Sequence, residues 1–258
     1  MKDVIEGLNL PKQLLDKTEK FMSTLFGSSA KEISGLFADK IRFIRMKNQV
    51  KIFKKTINVI EENGLTVKEL DLKTLVPLIE YSSLEEDETL QSKWAILIAN
   101  ISSCPRNGLE PKLIKTLSNL SPIEAQVLDY IHSVFIYERK KYFTSSKSFK
   151  VKNYESEEEV ELNYVNIHLS VVKAQFELSS ELSKIIIENI ESLGLIKFED
   201  PEIEIDHGAS DALLEDDKET GQKIKLELDV YANYYQSNKV QFTNYGKYFV
   251  EQCKSIKT

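Results

Sequence analysis

Apolar residues in the first half of this chain recur at steps of three and four, a spacing that packed amphipathic helices use and strands cannot. In residues 12–26, Leu14, Leu15, Phe21, Met22, Leu25 and Phe26 fit one helical face, and GSS at 27–29 interrupts it. From Ala30 to Glu62, Ile33, Phe37, Ile41 and Ile44 form one stripe, and Met46, Val50, Phe53, Ile57 and Ile60 form a second. Asn63-Gly64 closes this run, because glycine takes the left-handed conformation after a helix without a Cβ penalty. Leu72, Leu75, Val76 and Ile79 then predict a shorter inward face, on a helix that Pro77 bends.

Residues 75–103, LVPLIEYSSLEEDETLQSKWAILIANISS, set a run of acids at 85–88 just ahead of the only tryptophan. Ser83 is placed to cap a helix with Glu86 as reciprocal partner, and the acids fall in the first turns, where the helix dipole favours negative charge. Leu84, Leu90, Trp94, Leu97, Ile98 and Ile101 predict its buried stripe, and Asn100 is placed to cap the same helix. Pro111 opens a further short helix with Leu113, Ile114 and Leu117 inward. Ser121, Pro122 and Glu124 are three agreeing start signals for the next, and mark a domain boundary just before Ser121.

Past Tyr142 the pattern changes. Residues 144–158 are polar and predict a loop. Val160, Leu162 and Tyr164 alternate as in a strand, and Val165, Ile167, Leu169 and Val171 do so after a one-residue slip. Residues 178–198, LSSELSKIIIENIESLGLIKF, return to helix with Leu182, Ile185, Ile186, Ile190 and Leu193 inward and Gly194 closing it. KIKLELDVY at 223–231 alternates as one strand, and QFTNYGKYFVEQCK ends the chain as a short strand turning into a helix. The expected fold class is mainly α with a smaller α+β part: a helical bundle at 1–120, then a winged-helix-like domain at 121–258 with an enlarged acidic wing. That likeness is to a fold and says little of function.

Charge separates the two halves. Residues 1–120 carry 18 Lys and Arg against 16 Asp and Glu, while residues 121–258 carry 16 against 25. Lys40, Arg42, Arg45, Lys47, Lys51, Lys54 and Lys55 fall within sixteen positions that hold no acid. Two readings are open: a face that binds phosphate or an anionic membrane surface, or a helix that meets acids such as Glu85 to Glu88 within the fold. DNA is disfavoured as a partner of the second half. The helix at 178–198 exposes Glu181, Glu188 and Glu191 against Lys184, and residues 199–217 hold nine acids and no Lys or Arg, which repel phosphates.

No nucleotide-binding loop, serine-hydrolase elbow, zinc-protease motif or paired cysteines at metal spacing occurs in the sequence. No catalytic residue, cofactor or metal is therefore expected. His132 follows Asp129 by one helical turn, an arrangement that can orient a base but more often places a packing residue; His168 and His207 are isolated. Cys104 and Cys253 lie too far apart in sequence to suggest a disulfide framework, which suits a reducing cytoplasm. The start, MKDVIEGLNLPKQ, lacks the apolar core of a signal peptide, and the longest wholly apolar stretch, Trp94 to Ala99, is far short of the ~18 residues of a spanning helix. The expected location is cytoplasmic or peripheral to the inner membrane face, with a protein or anionic membrane surface as partner and a homo-oligomer compatible.

Three blocks carry a family likeness: GLFADKIRFIRMKNQVKIFKKTINVIEENG, LVPLIEYSSLEEDETLQSKWAILIAN and LSNLSPIEAQVLDYI. Their order and spacing resemble the Abi-alpha family, the abortive-infection alpha proteins of bacteria, over about residues 25–255. In that family a basic helix precedes a SLE-x-DE-x-L-x-x-W block and a LSP-x-EA-x-x-LDY helix follows. The resemblance implies a role in defence against phage, in which an infected cell stops growing or dies before virus is released, and the lack of catalytic motifs makes a non-enzymatic effector the expectation. The resemblance supplies no catalytic residues, and it marks Leu84, Glu85, Asp87, Glu88, Leu90, Trp94 and Asn100 as hallmark positions. A winged-helix regulator that binds nucleic acid is the alternative.

Overall fold

The computed structural model describes residues 16, 17, 20, 21, 23–25, 40–104, 107–149, 154–199, 202–207, 211–217, 221–227, 230–235 and 237–256, and the side chains of these other than 40–43, 147–149 and 202–235. Leu14, Leu15, Met22, Phe26, the turn at 27–29, Ile33 and Phe37 lie outside the described residues, as does the side chain of Ile41. The architecture is mainly helical with a small three-stranded antiparallel sheet.

The first long helix, α1 (Lys40–Asn63), buries Val50, Ile52, Phe53 and Ile57. Phe21 meets Phe53 edge to face at 5.5 Å, and the carbonyl of Leu25 accepts from the Leu70 backbone. Gly64 ends α1 with a φ of 63°, as Asn63-Gly64 predicts. Ile44 departs from the expected stripe and is about half exposed.

Asp71 caps α2 (Leu72–Ser82) by accepting from Thr74 N at 3.0 Å, and Asp87 caps α3 (Glu88–Ser103) by accepting from Leu90 N at 2.9 Å. Ser83 therefore does not start a helix. It closes α2, where its N–H donates to Ile79 O and its hydroxyl to Glu80 O. Four residues of turn follow, so only Glu88 of the acidic run enters the first helical turn, and Leu84 stands 59% exposed rather than buried. Leu72 is also exposed, because it sits directly after the Asp71 cap, and Leu78 takes the inward place.

Trp94, Leu97, Ile98 and Ile101 on α3 pack at the centre of one contiguous cluster that reaches from Phe21 to Cys253. A cluster of this kind supplies most of a domain's favourable burial free energy, at about 25 cal/mol per Å² of apolar surface. Helices α4 (Glu110–Ser118) and α5 (Pro122–Phe149) follow, and the Ser121 cap is reciprocal as predicted: Ser121 N donates to Glu124 Oε2 at 2.7 Å and Glu124 N to Ser121 Oγ at 3.4 Å. The loop expected from residue 144 begins later. Tyr142 stacks on Tyr164 at 5.5 Å and Ser146 is buried, so tertiary contact carries α5 through a Ser/Thr-rich stretch to Phe149.

The strands expected across 160–171 are corrected as well. Glu157–Glu159 and Leu162–Tyr164 are single 3₁₀ turns, β1 is only Ile167–His168, and Leu169 already begins α6 (Leu169–Gln175). Arg139 explains part of this, since its guanidinium donates to the carbonyls of Glu158 and Val160 and draws off acceptors a ladder would need. Helix α7 (Ser180–Ser192) is capped by Ser179, and β2 (Ile196–Phe198) follows Gly194, whose φ is 71°. Ile186, Ile187 and Ile190 face inward on α7, whereas Leu182 and Ile185 are 47% and 48% exposed, which corrects two expected core positions.

Two paired ribbons come next, β3 (Glu202–His207) with β6 (Val230–Tyr235) and β4 (Asp211–Asp217) with β5 (Gly221–Glu227), all antiparallel. The single strand expected at 223–231 is thus shared between β5 and β6, which pair with different neighbours. The chain closes through β7 (Lys239–Phe242), central in the sheet order β1-β7-β2, into α8 (Asn244–Lys254).

Helix α8 sits hard against the turn after α7. Thr243 caps it by accepting from Gly246 N at 2.8 Å and donates to Gly194 O at 2.6 Å. A Cβ on Gly246 would fall 1.7 Å from Leu195 O, so only glycine admits this approach.

Candidate functional site

The basic run divides into two jobs on α1. Arg45 is half-buried and tied down: Nε donates to Ser83 Oγ at 2.8 Å and Nη2 to Glu80 O at 3.2 Å, at the carbonyl end of α2 where the helix dipole favours a cation. Lys55 donates from Nζ to Glu88 O at 3.1 Å and Ser92 Oγ at 3.0 Å. Asn48 and Gln49 complete the clasp by donating to Ser83 O and Ile79 O. These groups hold α1 to the α2–α3 junction through backbone carbonyls and serine hydroxyls.

Lys47, Lys51 and Lys54 are exposed at steps of four and three, so they line one outer stripe with Ile44. The side chains of Lys40 and Arg42 lie outside the described residues. Of the seven, the five with described side chains resolve into two clamps within the fold and a stripe of three lysines open to solvent.

Of the hallmark positions only Glu88 takes part in the clasp, through its backbone carbonyl, and most of the others lie in and just after the same turn. Glu85 accepts at Oε1 from Asp87 N at 2.9 Å, and its backbone carbonyl accepts from Gln91 Nε2 at 2.9 Å. Burial raises the Glu85 carboxyl above its ordinary range, opposed by the Asp87 N–H that stabilises its charge. Asp87 caps, Glu88 enters the first turn, and Leu90 and Trp94 are buried, so five of the seven positions build and anchor a turn. Asn100 has a different part from the one expected. Buried inside α3, it donates from Nδ2 to Gln252 O at 2.9 Å and Ser255 O at 2.8 Å, and so caps α8 instead of its own helix.

His132 is not oriented by Asp129. Asp129 Oδ1 instead accepts from Lys93 Nζ at 2.6 Å, and the imidazole lies against Phe135 and Phe242 with both ring nitrogens buried and no hydrogen-bond partner among the described residues. Burial lowers its pKa, and Lys254 adds to the effect. Burial likewise pushes the Cys253 thiol up to about 12. Both groups are buried in the core, His132 against two aromatic rings and Cys253 within the apolar cluster.

Sequence gave no sign of Lys93 or Arg139 as buried cations, because each looks like any other basic residue on a helix. Arg139 borders a cavity of about 600 Å³, together with Glu158, Glu159, Glu161, Lys197 and Lys247. Three basic residues face three acidic ones there, so the lining selects neither an anion nor a cation. Among the described residues, no group of three His, Cys, Asp or Glu could hold a metal ion, and no helix is long and apolar enough to cross a membrane.

Comparison with curated proteins and with solved structures finds no match to this chain. The profile of one protein family, abortive infection alpha, matches residues 39–253, from the start of the basic helix to the buried thiol of α8. The match spans the clasp, the hallmark turn and the closing helix together, and the chain belongs to the abortive infection alpha family.

Proposed function

We propose that this chain is a non-enzymatic bacterial defence protein of the abortive-infection kind, acting in the cytoplasm by docking the outer stripe of α1 on an acidic protein surface. The observation that carries the reading is the separation of roles on α1: Arg45 and Lys55 are committed inside the fold, while Lys47, Lys51 and Lys54 are open. A membrane target is less well supported. Among the described side chains of α1, the apolar face is used by the core and Ile44 alone of the large apolar residues stands open. Each basic residue near an anionic surface contributes about 1 kcal/mol, so three lysines fall short of the roughly 4 kcal/mol of millimolar binding.

Replacing Lys47, Lys51 and Lys54 together with Glu is expected to abolish phage protection in a sensitive host and to leave urea unfolding unchanged. Full protection by that variant would sink the reading. Anionic vesicles serve as the control: binding by the wild type that these substitutions remove would move the target from a protein to the membrane.

A second reading rests on the order of elements in the later half. Helix α5, β1, α6, α7, β2, two ribbons and β7, with sheet order β1-β7-β2, support reading 121–258 as a winged-helix module with an enlarged wing. A nucleic-acid-binding regulator is the function this favours. Against it, the helix that would enter a groove exposes Leu182, Ile185, Glu181 and Glu188. A salt-sensitive gel shift with duplex DNA would restore it, and no shift at low salt would remove it.

A further inference from the structure

The outer faces of α1 and α7 are complementary in kind. On α1 a half-exposed Ile44 leads a stripe of Lys47, Lys51 and Lys54 in a stretch with no acid. On α7 half-exposed Leu182 and Ile185 lie one turn apart, with exposed Glu181 before them and exposed Glu188 after them. Lys184 on α7 is engaged with Glu188 at 3.8 Å, a loose and exposed pair that a firmer partner can displace. Both faces are exposed in the same molecule among the described residues.

We propose that α1 of one copy docks on α7 of a second copy, with Ile44 against Leu182 and Ile185 and the lysines against Glu181 and Glu188. This rests on the reading of the lysine stripe as the interaction face, and it names the acidic partner as another copy of the chain. The two surfaces differ, so the contact is head to tail: each joined pair keeps one free α1 at one end and one free α7 at the other, and assembly continues into a ring or an open string rather than stopping at a dimer. The apolar contact is small, so association is weak and carried largely by charge. It therefore weakens steeply with salt. The same arrangement explains why the outer face of α7 is apolar and acidic, a surface suited to a basic protein helix and unsuited to phosphates.

The test is sedimentation velocity on the full chain over a range of concentrations, at about 50 mM and about 500 mM NaCl, a range across which the screening length falls about threefold. The wild type is expected to exceed dimer mass with rising concentration at low salt and to return toward monomer at high salt. Lys51→Glu and Glu188→Lys, both at exposed positions, should each weaken association at least about fivefold, since like charges then oppose each other across the contact. An equimolar mixture of the two variants, and the double variant alone, should recover association, because opposite charges again face each other at every contact. A monomer at all concentrations and salts overturns the proposal, as does association that neither substitution weakens. If the chain is monomeric but the triple-lysine variant still loses phage protection, the assembly is wrong and the basic-face function stands. Assembly as expected, with protection intact in that variant, supports the assembly and removes the function.

Discussion

Asn100 on α3 donates its side-chain amide to the carbonyl of Gln252 on α8 at 2.9 Å, joining residues 152 positions apart, and the same amide reaches Ser255 O at 2.8 Å. The last carbonyls of a helix have no partner within it, and here a buried side chain supplies one. Asn100→Leu keeps the size and removes the amide donors, leaving the buried Gln252 carbonyl without them. It should lower stability by about 2 kcal/mol in urea unfolding and speed amide exchange in α8 before the rest of the molecule. Equal exchange across all helices would show that Asn100 does not hold α8.

Gly246 is fixed by closeness rather than by torsion. Its φ is not in the left-handed region, yet an added Cβ would meet the Leu195 backbone O, C and Cα at 1.7, 2.5 and 2.8 Å. Backbone cannot swing away as a side chain can, so Gly246→Ala should cost about 3 kcal/mol or more, or prevent folding. Gly194→Ala is the informative comparison. That site has a φ of 71° but open space, so its cost should be only about 1 kcal/mol.

These two positions mark how much of the fold the sequence discloses. Helices with strong caps and a single apolar stripe are legible: Gly64, the Ser121–Glu124 box and the Trp94 stripe from Leu90 onward stand where local chemistry puts them. Ser83 misleads because two caps compete within five residues, and the Arg45 guanidinium on its hydroxyl settles it as an ending. On α7 the triplet Ile185-Ile186-Ile187 spans more than one face, so periodicity alone cannot say which isoleucine turns outward. The role of Asn100 is illegible for a different reason, since its partners come from the far end of the chain.

Arg45 and Lys51 lie on one helix in one basic run and should behave oppositely. Arg45→Ala removes two hydrogen bonds from a half-buried cation at the α2 terminus and should destabilise by about 1–2 kcal/mol. Lys51→Ala removes an exposed charge and should leave the unfolding midpoint unchanged within about 0.5 kcal/mol. Urea midpoints of the two variants measure this directly, and equal losses would show that α1 is not divided into a clamp and a free stripe.

His132 gives the fold a pH dependence whose sign is set by its burial. Lys254, Glu251, Asp129 and Lys247 surround it; desolvation is the largest influence, and its folded-state pKa lies below the ordinary value. Between the two values the unfolded chain binds the proton and the folded one does not. Stability is therefore fully present above about pH 6.5 and is lost as pH falls through the lowered folded value. Melting temperatures at about pH 7.5 and about pH 5.5 should differ more for the wild type than for His132→Gln. Identical pH slopes would assign the acid sensitivity to other groups.

Cys253 and Cys104 offer an optical report on the same closing helix. The Cys253 thiol is buried and its pKa is pushed up to about 12 by that burial, while Cys104 is only half-buried. Thiolate is the reacting form, so at about pH 8 the reagent reaches Cys104 quickly and Cys253 only when α8 opens. A disulfide reagent should release its chromophore in two phases of equal size. Asn100→Leu should quicken the slow phase without altering the fast one, because the cap it removes holds the helix that covers Cys253. A single fast phase in the wild type would mean that α8 is not closed over the core, and with it the anchoring role of Asn100 would fall.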